Sequence, residues 1–227
     1  MLFRSMGFIK ESVDFDWAGA DASFQRAIAL EPGNPAVVRE AAYLAARLGR
    51  FDEGLRLARR SVELDPLNAR SRVVLGQLEY WMGALDEAVA DLKRALEISP
   101  EAPSHIFLAE IYVIQGRFQD ALAEIEQERT GIFRLQHYAI AYHALGREKD
   151  SDAALQELIA NYQAIAAFQI GQVYAFREQL DEAFEWLDRA YAQRDGGLEE
   201  TKVNPLLKSL HHDPRYAALL KKLNLPN

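Results

Sequence analysis

The chain has 227 residues, a formal net charge of -8 and no cysteine. The missing thiols exclude disulfides, thiolate nucleophiles and Cys-based metal sites, and the acidic balance argues against direct nucleic-acid binding through a basic face. An apolar content of 49% with only 13 Gly and 8 Pro supports a real, helix-rich core, while no apolar run reaches membrane-spanning length and the first ten residues are too weakly patterned for a signal peptide, so a soluble cytoplasmic protein is expected.

The first stretch, "MLFRSMGFIKESVD", reads as a degenerate helix ahead of a well-formed one, "DWAGADASFQRAIALEP". The second is amphipathic and closes on Pro32. That proline opens a series at Pro32, Pro66 and Pro100, with 66-32 = 34 and 100-66 = 34. The same step links small residues at Ala20, Gly54 and Ala88, small residues at Ala27, Ser61 and Ala95, and aliphatic ones at Leu30, Leu64 and Ile98. A periodic self-similarity of this length signals a repeat architecture.

A second signal sits between the helices of each repeat. "GRFDEGL" from Gly49, "GALDEAV" from Gly83, "GRFQDAL" from Gly116 and "EQLDEAF" from Glu178 share one pattern, and Gly146 in "LGREKDSDAAL" is a variant of it. Glycine takes a left-handed helix C-cap at little cost. Phe51, Leu85, Phe118 and Leu180 cover the turn. Asp52, Asp86 and Asp181 are expected to offer capping oxygens to the following helix, with the neighbouring acids at its positive end. Small residues at Gly54, Ala88, Ala121 and Ala183 then let two helices approach closely.

Later units lose the proline. The fourth ends on Thr130-Gly131, and the sixth ends on Asp195-Gly196-Gly197. Beyond these, Asn204-Pro205 and Asp213-Pro214 each place a capping side chain before a proline at the first helical position. Tyr216, Leu219, Leu220 and Leu223 form one apolar stripe at helical spacing. This stretch is read as a terminal cap for a stacked array, which needs one polar face to stay soluble.

The registered positions resemble the tetratricopeptide repeat, a 34-residue helix-turn-helix unit with the pattern W-x2-L-G-x2-Y…A-x3-F…P. Leu75-Gly76 with Ala88, Leu92, Ala95 and Pro100 is the best match, although Glu79 stands in the tyrosine slot. Leu108-Ala109 with Tyr112, Tyr138-Ala139 with Tyr142, and Ile170-Gly171 with Tyr174 carry the first-helix pattern onward. The resemblance implies an all-α, right-handed superhelix of stacked antiparallel helix pairs. About six repeats are expected over residues 1–197 (1–34, 35–68, 69–101, 102–131, 132–163 and 164–197), with a cap over 198–227. The first and last of these stretches also look like the repeat arms that follow winged-helix, class III nucleotide cyclase or kinase domains in bacterial proteins. That likeness implies a bacterial signalling context and an accessory arm, with an effector domain expected upstream; residues 1–5 then read as an artificial start.

Motifs for catalysis are missing: the chain holds no phosphate-binding glycine loop, no nucleophile elbow and no His-Glu-x-x-His. His211 and His212 read as part of a solvated loop and His105 as structural. The resemblance implies a concave surface lined by first helices, with Arg39, Tyr43 and Arg47, then Arg70, Gln77, Tyr80 and Trp81, then Glu110 and Ile114, and finally His137, Ile140, Phe168, Gln172 and Phe176. Tyr80 and Trp81 suit either that surface or the core between repeats. The family positions that clamp a terminal carboxylate hold no Lys or Asn here, so a hydrophobic segment or amphipathic helix is the expected ligand. The function expected is a non-enzymatic module for a protein or peptide partner, or for self-association, with no cofactor. The alternative is a small metal- or ligand-dependent enzyme built on Glu110, His137 and His143.

Overall fold

A computed structural model describes residues 2–12 and 14–226; Met1, Val13 and Asn227 lie outside the described residues, as do the parts of the N-terminal expectations that rest on them. No strand occurs among the described residues. The helices are α1 (Leu2–Ser12), α2 (Trp17–Leu30), α3 (Pro35–Arg47), α4 (Phe51–Leu64), α5 (Ala69–Trp81), α6 (Leu85–Ile98), α7 (His105–Ile114), α8 (Phe118–Gln127), α9 (Gly131–Ala144), α10 (Glu148–Tyr162), α11 (Ala167–Phe176), α12 (Leu180–Gln193) and α13 (Pro214–Lys222), with 3-10 segments at Gly196–Glu200 and Pro205–His212.

Each odd-numbered helix through α11 packs against the even-numbered helix that follows it. The chain divides into two compact units. The first comprises Met1–Ser104 with Leu219–Asn227, and the second His105–Ala218. Within the first, α2 packs on α3, α4 on α5, and α3 on α5. Within the second, α9 packs on α7, α8 and α11, and the second 3-10 segment packs on α11.

The turns inside the five helix pairs from α3–α4 to α11–α12 obey one hydrogen-bond scheme. At Gly83 (φ +82°) the Gly83 N–H donates to Tyr80 O and the Ala84 N–H to Glu79 O, which closes α5 in a Schellman motif. Gly49, Gly116 and Gly146 repeat it at positive φ. Glu178 repeats it too, at φ 59°, with no glycine to relieve the left-handed backbone.

The expected close approach of the helices is present and has two partners per pair. A Cβ on Gly76 of α5 would lie 3.1 Å from Ala88 O on α6, and one on Gly54 of α4 would lie 3.1 Å from Ala42 O on α3. Gly171 of α11 faces Ala183 O in the same way at 3.5 Å. Around these crossings Ala20, Phe24, Ala58, Ala88, Leu92, Ala95, Ala121 and Leu187 are almost wholly buried, so the 34-residue step is the step of the core. Ser61 fills one alanine slot at 0% exposure, its hydroxyl donating to Pro35 O at 2.9 Å and meeting Ser71 Oγ at 2.7 Å.

The capping expectation is corrected. Helices α4, α6 and α12 begin two residues earlier than it assumed, so Arg50, Ala84 and Gln179 occupy the N-cap and make no side-chain cap bond. Asp52, Asp86 and Asp181 lie inside the first turn, where their charge acts on the helix dipole instead. Side-chain caps occur on first helices: Asn34 accepts from Ala36 N and Val37 N, and Asn68 from Ser71 N. Asn204 accepts from Leu206 N ahead of the second 3-10 segment, and Asp213 from Arg215 N ahead of α13, as the two Asx-Pro pairs require.

Candidate functional site

The first helices differ from the second ones in what they bury. From Val73 to Trp81 every residue of α5 is buried, polar ones included. A helix apolar on one face alone would leave its polar residues wet, so these polar groups need partners.

In the first unit, the Tyr43 hydroxyl of α3 donates to Gln77 Oε1 of α5, and the Tyr43 ring tilts against Trp81 with centroids 6.2 Å apart. Arg47 stacks over the Tyr43 ring at 5.0 Å and pairs with buried Glu11 of α1 at 2.6 Å. Arg39 lies along its neighbour Glu40 at 3.1 Å. Tyr80 is 1% and Trp81 7% exposed, so both serve the core, and the Trp81 Nε1–H has no acceptor among the described residues. Arg70 is exposed at the start of α5.

In the second unit two polar pairs cross adjacent first helices. His137 of α9 meets Glu110 Oε1 of α7 through Nε2 at 2.8 Å, while its Nδ1 donates to Phe133 O at 2.6 Å. With Nδ1 carrying a proton, the Nε2–Oε1 contact needs one more, shared between imidazole and carboxyl. Gln136 Nε2 donates to Gln172 Oε1 of α11 at 2.9 Å. Glu110 Oε2 and Gln136 Oε1 remain buried without a donor among the described residues. Ile140 (0% exposed) and Phe168 (1%) lie inside the helix layer.

The ends of these helices present surface. Ile114, at the end of α7, is 47% exposed. His143 and Phe176, in the last turns of α9 and α11, are half-buried and meet edge to face with centroids 6.1 Å apart. Glu148 takes His143 Nδ1 at 3.1 Å. The structure thus joins Glu110 to His137 and sends His143 to other partners, so the three do not converge. His105 bonds Glu124 at 2.6 Å. His211 and His212 are exposed but end the second 3-10 segment rather than lying in a loop.

Glu79 carries the strongest electrostatic perturbation of this layer. It is 4% exposed and its Oε2 has no hydrogen-bond partner among the described residues. Burial, then Asp91 and Glu87 on α6, push its carboxyl up to about 7, against the opposing pull of Arg59 on α4. An acid in the middle of the α5 apolar run was the available sequence signal. A charged ridge on α4, lined by Asp52, Leu55, Arg56, Arg59, Arg60 and Glu63, belongs to the outer face of a second helix.

Stacked helix-turn-helix pairs with small residues at each crossing define an α-helical repeat scaffold. The particular family follows from the sequence match: residues 16–66 and, overlapping them, 39–103 fit the family model described as tetratricopeptide repeat, so this stretch is similar to tetratricopeptide repeats. Solved structures extend the same fold over the other helix pairs. PilW, described as a widely conserved type IV pilus biogenesis factor, superposes with TM-score 0.65 at 16% identity, covering 92% of this chain and 96% of its own. A tetratricopeptide repeat protein from Parabacteroides merdae ATCC 43184 gives 0.56 at 17% identity over 95% and 90%. The APC/C hetero-tetramer Cut9-Hcn1 gives 0.64 at 14% identity over 97% of this chain and 42% of that one. A curated relative, the septation ring formation regulator EzrA of Bacillus velezensis, is 27% identical over 122 residues, which are 53% of this chain and 22% of that protein's length. No helix among the described residues is long and apolar enough to cross a membrane.

Proposed function

We propose that the protein is a non-enzymatic interaction module whose first-helix face receives a short apolar segment of a partner protein. The fold is that of a protein-binding scaffold. The observation that carries the finer reading is Ile114, a large aliphatic side chain 47% exposed at the end of α7, together with the half-buried His143–Phe176 pair at the corresponding ends of α9 and α11. An apolar side chain flanked by polar groups is the composition of a peptide-anchoring surface. The buried pairs Glu110–His137 and Gln136–Gln172 hold the helix ends in register behind it. Arg39, Tyr43, Arg47, Arg70, Gln77 and Trp81 form the corresponding face of the first unit, with Tyr43, Arg47 and Arg70 presenting surface. The accessory-arm reading draws support from the relative EzrA, a regulator in which the aligned stretch is only 22% of the length.

The test is selection of peptides from a random library on the full chain, followed by calorimetry. Ile114→Glu lies on the surface and is expected to leave the melting temperature unchanged while weakening the selected peptides at least about tenfold, the loss expected for an anchor residue. Peptides that bind Ile114→Glu and Phe176→Ala as well as the parent would place the binding surface elsewhere.

A further inference from the structure

Trp17 opens α2, and its indole Nε1–H donates to Leu223 O at 2.7 Å in a buried bond that spans 206 residues of sequence. Both residues belong to the first unit, which includes Leu219–Asn227. The end of α13 explains why this carbonyl is available. The Leu225 N–H donates to Leu220 O and the Asn224 N–H to Lys221 O, with Asn224 left-handed at φ 53°. That Schellman closure satisfies two terminal carbonyls and leaves the Leu223 carbonyl, beyond the helix's own hydrogen bonds, to the Trp17 indole. Leu219, Leu220, Leu223 and Leu225 are all buried, while Lys221, Lys222 and Asn224 are exposed.

The donor sits on a short aromatic element that leads into α2. Phe15 is 9% exposed with φ 50°, a conformation a bulky residue holds only when its surroundings enforce it. Its ring lies 6.2 Å from the Trp17 ring. Asp16 between them caps α2 through Gly19 N. The pair therefore offers two aromatic faces and one directed donor from a short, fixed element.

We propose that Phe15 and Trp17 form a docking site for the end of a leucine-rich helix, occupied in cis by residues 219–225 of the same chain, which act as a detachable latch. The chemistry of the ligand is read from the occupant: leucines on one face, a left-handed terminal residue, and, one residue before it, a carbonyl that takes the Trp17 indole as its donor. The site is separate from the first-helix face considered above, and its status does not depend on that reading.

A tethered ligand competes with a free one at an effective concentration in the millimolar range. The probe is a synthetic peptide of residues 214–227 with a fluorescent label. Full-length Leu223→Asp, checked for unchanged helical content, is expected to bind the peptide at least about tenfold more tightly than the parent chain does. Adding Trp17→Phe to that variant removes only the indole donor and should weaken peptide binding about fivefold, one neutral hydrogen bond. A folded Leu223→Asp variant that fails to bind, or a parent that binds equally well, overturns the latch. A second measurement avoids altering the buried leucines. The chain has no cysteine, so Ala18→Cys with Lys221→Cys takes two spin labels cleanly. One short-distance population that excess peptide converts to a long-distance one supports the proposal. A distance unmoved by excess peptide, or concentration-dependent exchange of the segment between copies, contradicts it.

Discussion

Replacing Glu79 with glutamine should raise stability, by an amount that grows from about pH 4.5 and is complete by about pH 7. The carboxyl is 4% exposed, lacks a partner for Oε2, and faces Asp91 and Glu87. Asp91 is partly neutralised by Arg72 at 2.7 Å, which leaves burial as the larger cause of the shift. The folded-state value of about 7 exceeds the ordinary 4.5 by 7 - 4.5, about 2.5 units. At 1.36 kcal/mol per unit the linkage amounts to about 3 kcal/mol, and solvent screening of so small a site reduces it to about 1.5 kcal/mol. The sign follows from proton counts. Between pH 4.5 and about 7 the folded chain holds a proton that the unfolded chain has lost, so stability falls as pH rises through that window and levels off above it. Glutamine is neutral throughout and escapes the loss. Thermal melts by circular dichroism at pH 5 and pH 8 should show near-equal midpoints at pH 5 and a gain of about 3–6 °C for Glu79→Gln at pH 8. An equal shift at both pH values, or a lower midpoint for the variant at pH 8, would refute the reasoning.

Other expectations concern the repeat geometry. Glu178→Gly relieves the left-handed backbone at φ 59° and should stabilise the chain by about 0.5–1 kcal/mol in urea titration, whereas Glu178→Ala should give no such gain. Asn68→Ala deletes the bond to Ser71 N and should cost about 1 kcal/mol, while Asp52→Ala, inside its helix turn rather than at the cap, should cost only about 0.3–0.5 kcal/mol and less in high salt. Gly76→Val would drive a side chain into Leu92 and Ala88 O, 2.8 and 3.1 Å from the first added carbon, and should lower the melting midpoint by several degrees with a loss of about 2–3 kcal/mol.

Much of the fold is legible because each repeat restates one set of contacts. Gly54 and Gly76 sit at crossings where a neighbouring backbone oxygen leaves little room, and Gly49, Gly83, Gly116 and Gly146 sit where φ is positive. These demands act on single residue types, so they print directly into sequence. The helix starts print less clearly: Asp52 is attractive as a cap or as a first-turn acid, and a two-residue shift of the helix start separates the two roles. Burial of the first-helix faces is harder still. Register brings Tyr80, Trp81, Ile140 and Phe168 to the inner side of their helices, but their near-complete burial depends on how tightly the next first helix closes over them. The hydrogen bond from Trp17 to Leu223 has no periodic trace at all, since it joins residues outside the repeating step. His137 and Glu110 could be placed near one another, yet the Phe133 carbonyl that sets the imidazole proton is a local helix contact only geometry reveals.

Hydrogen exchange on the full chain, with and without a saturating selected peptide, tests the interaction reading most directly. Slowed exchange over α7, α9 and α11, with α8, α10 and α12 unchanged, is the predicted result. Protection confined to the outer, second helices, or no protection at saturation, would contradict it.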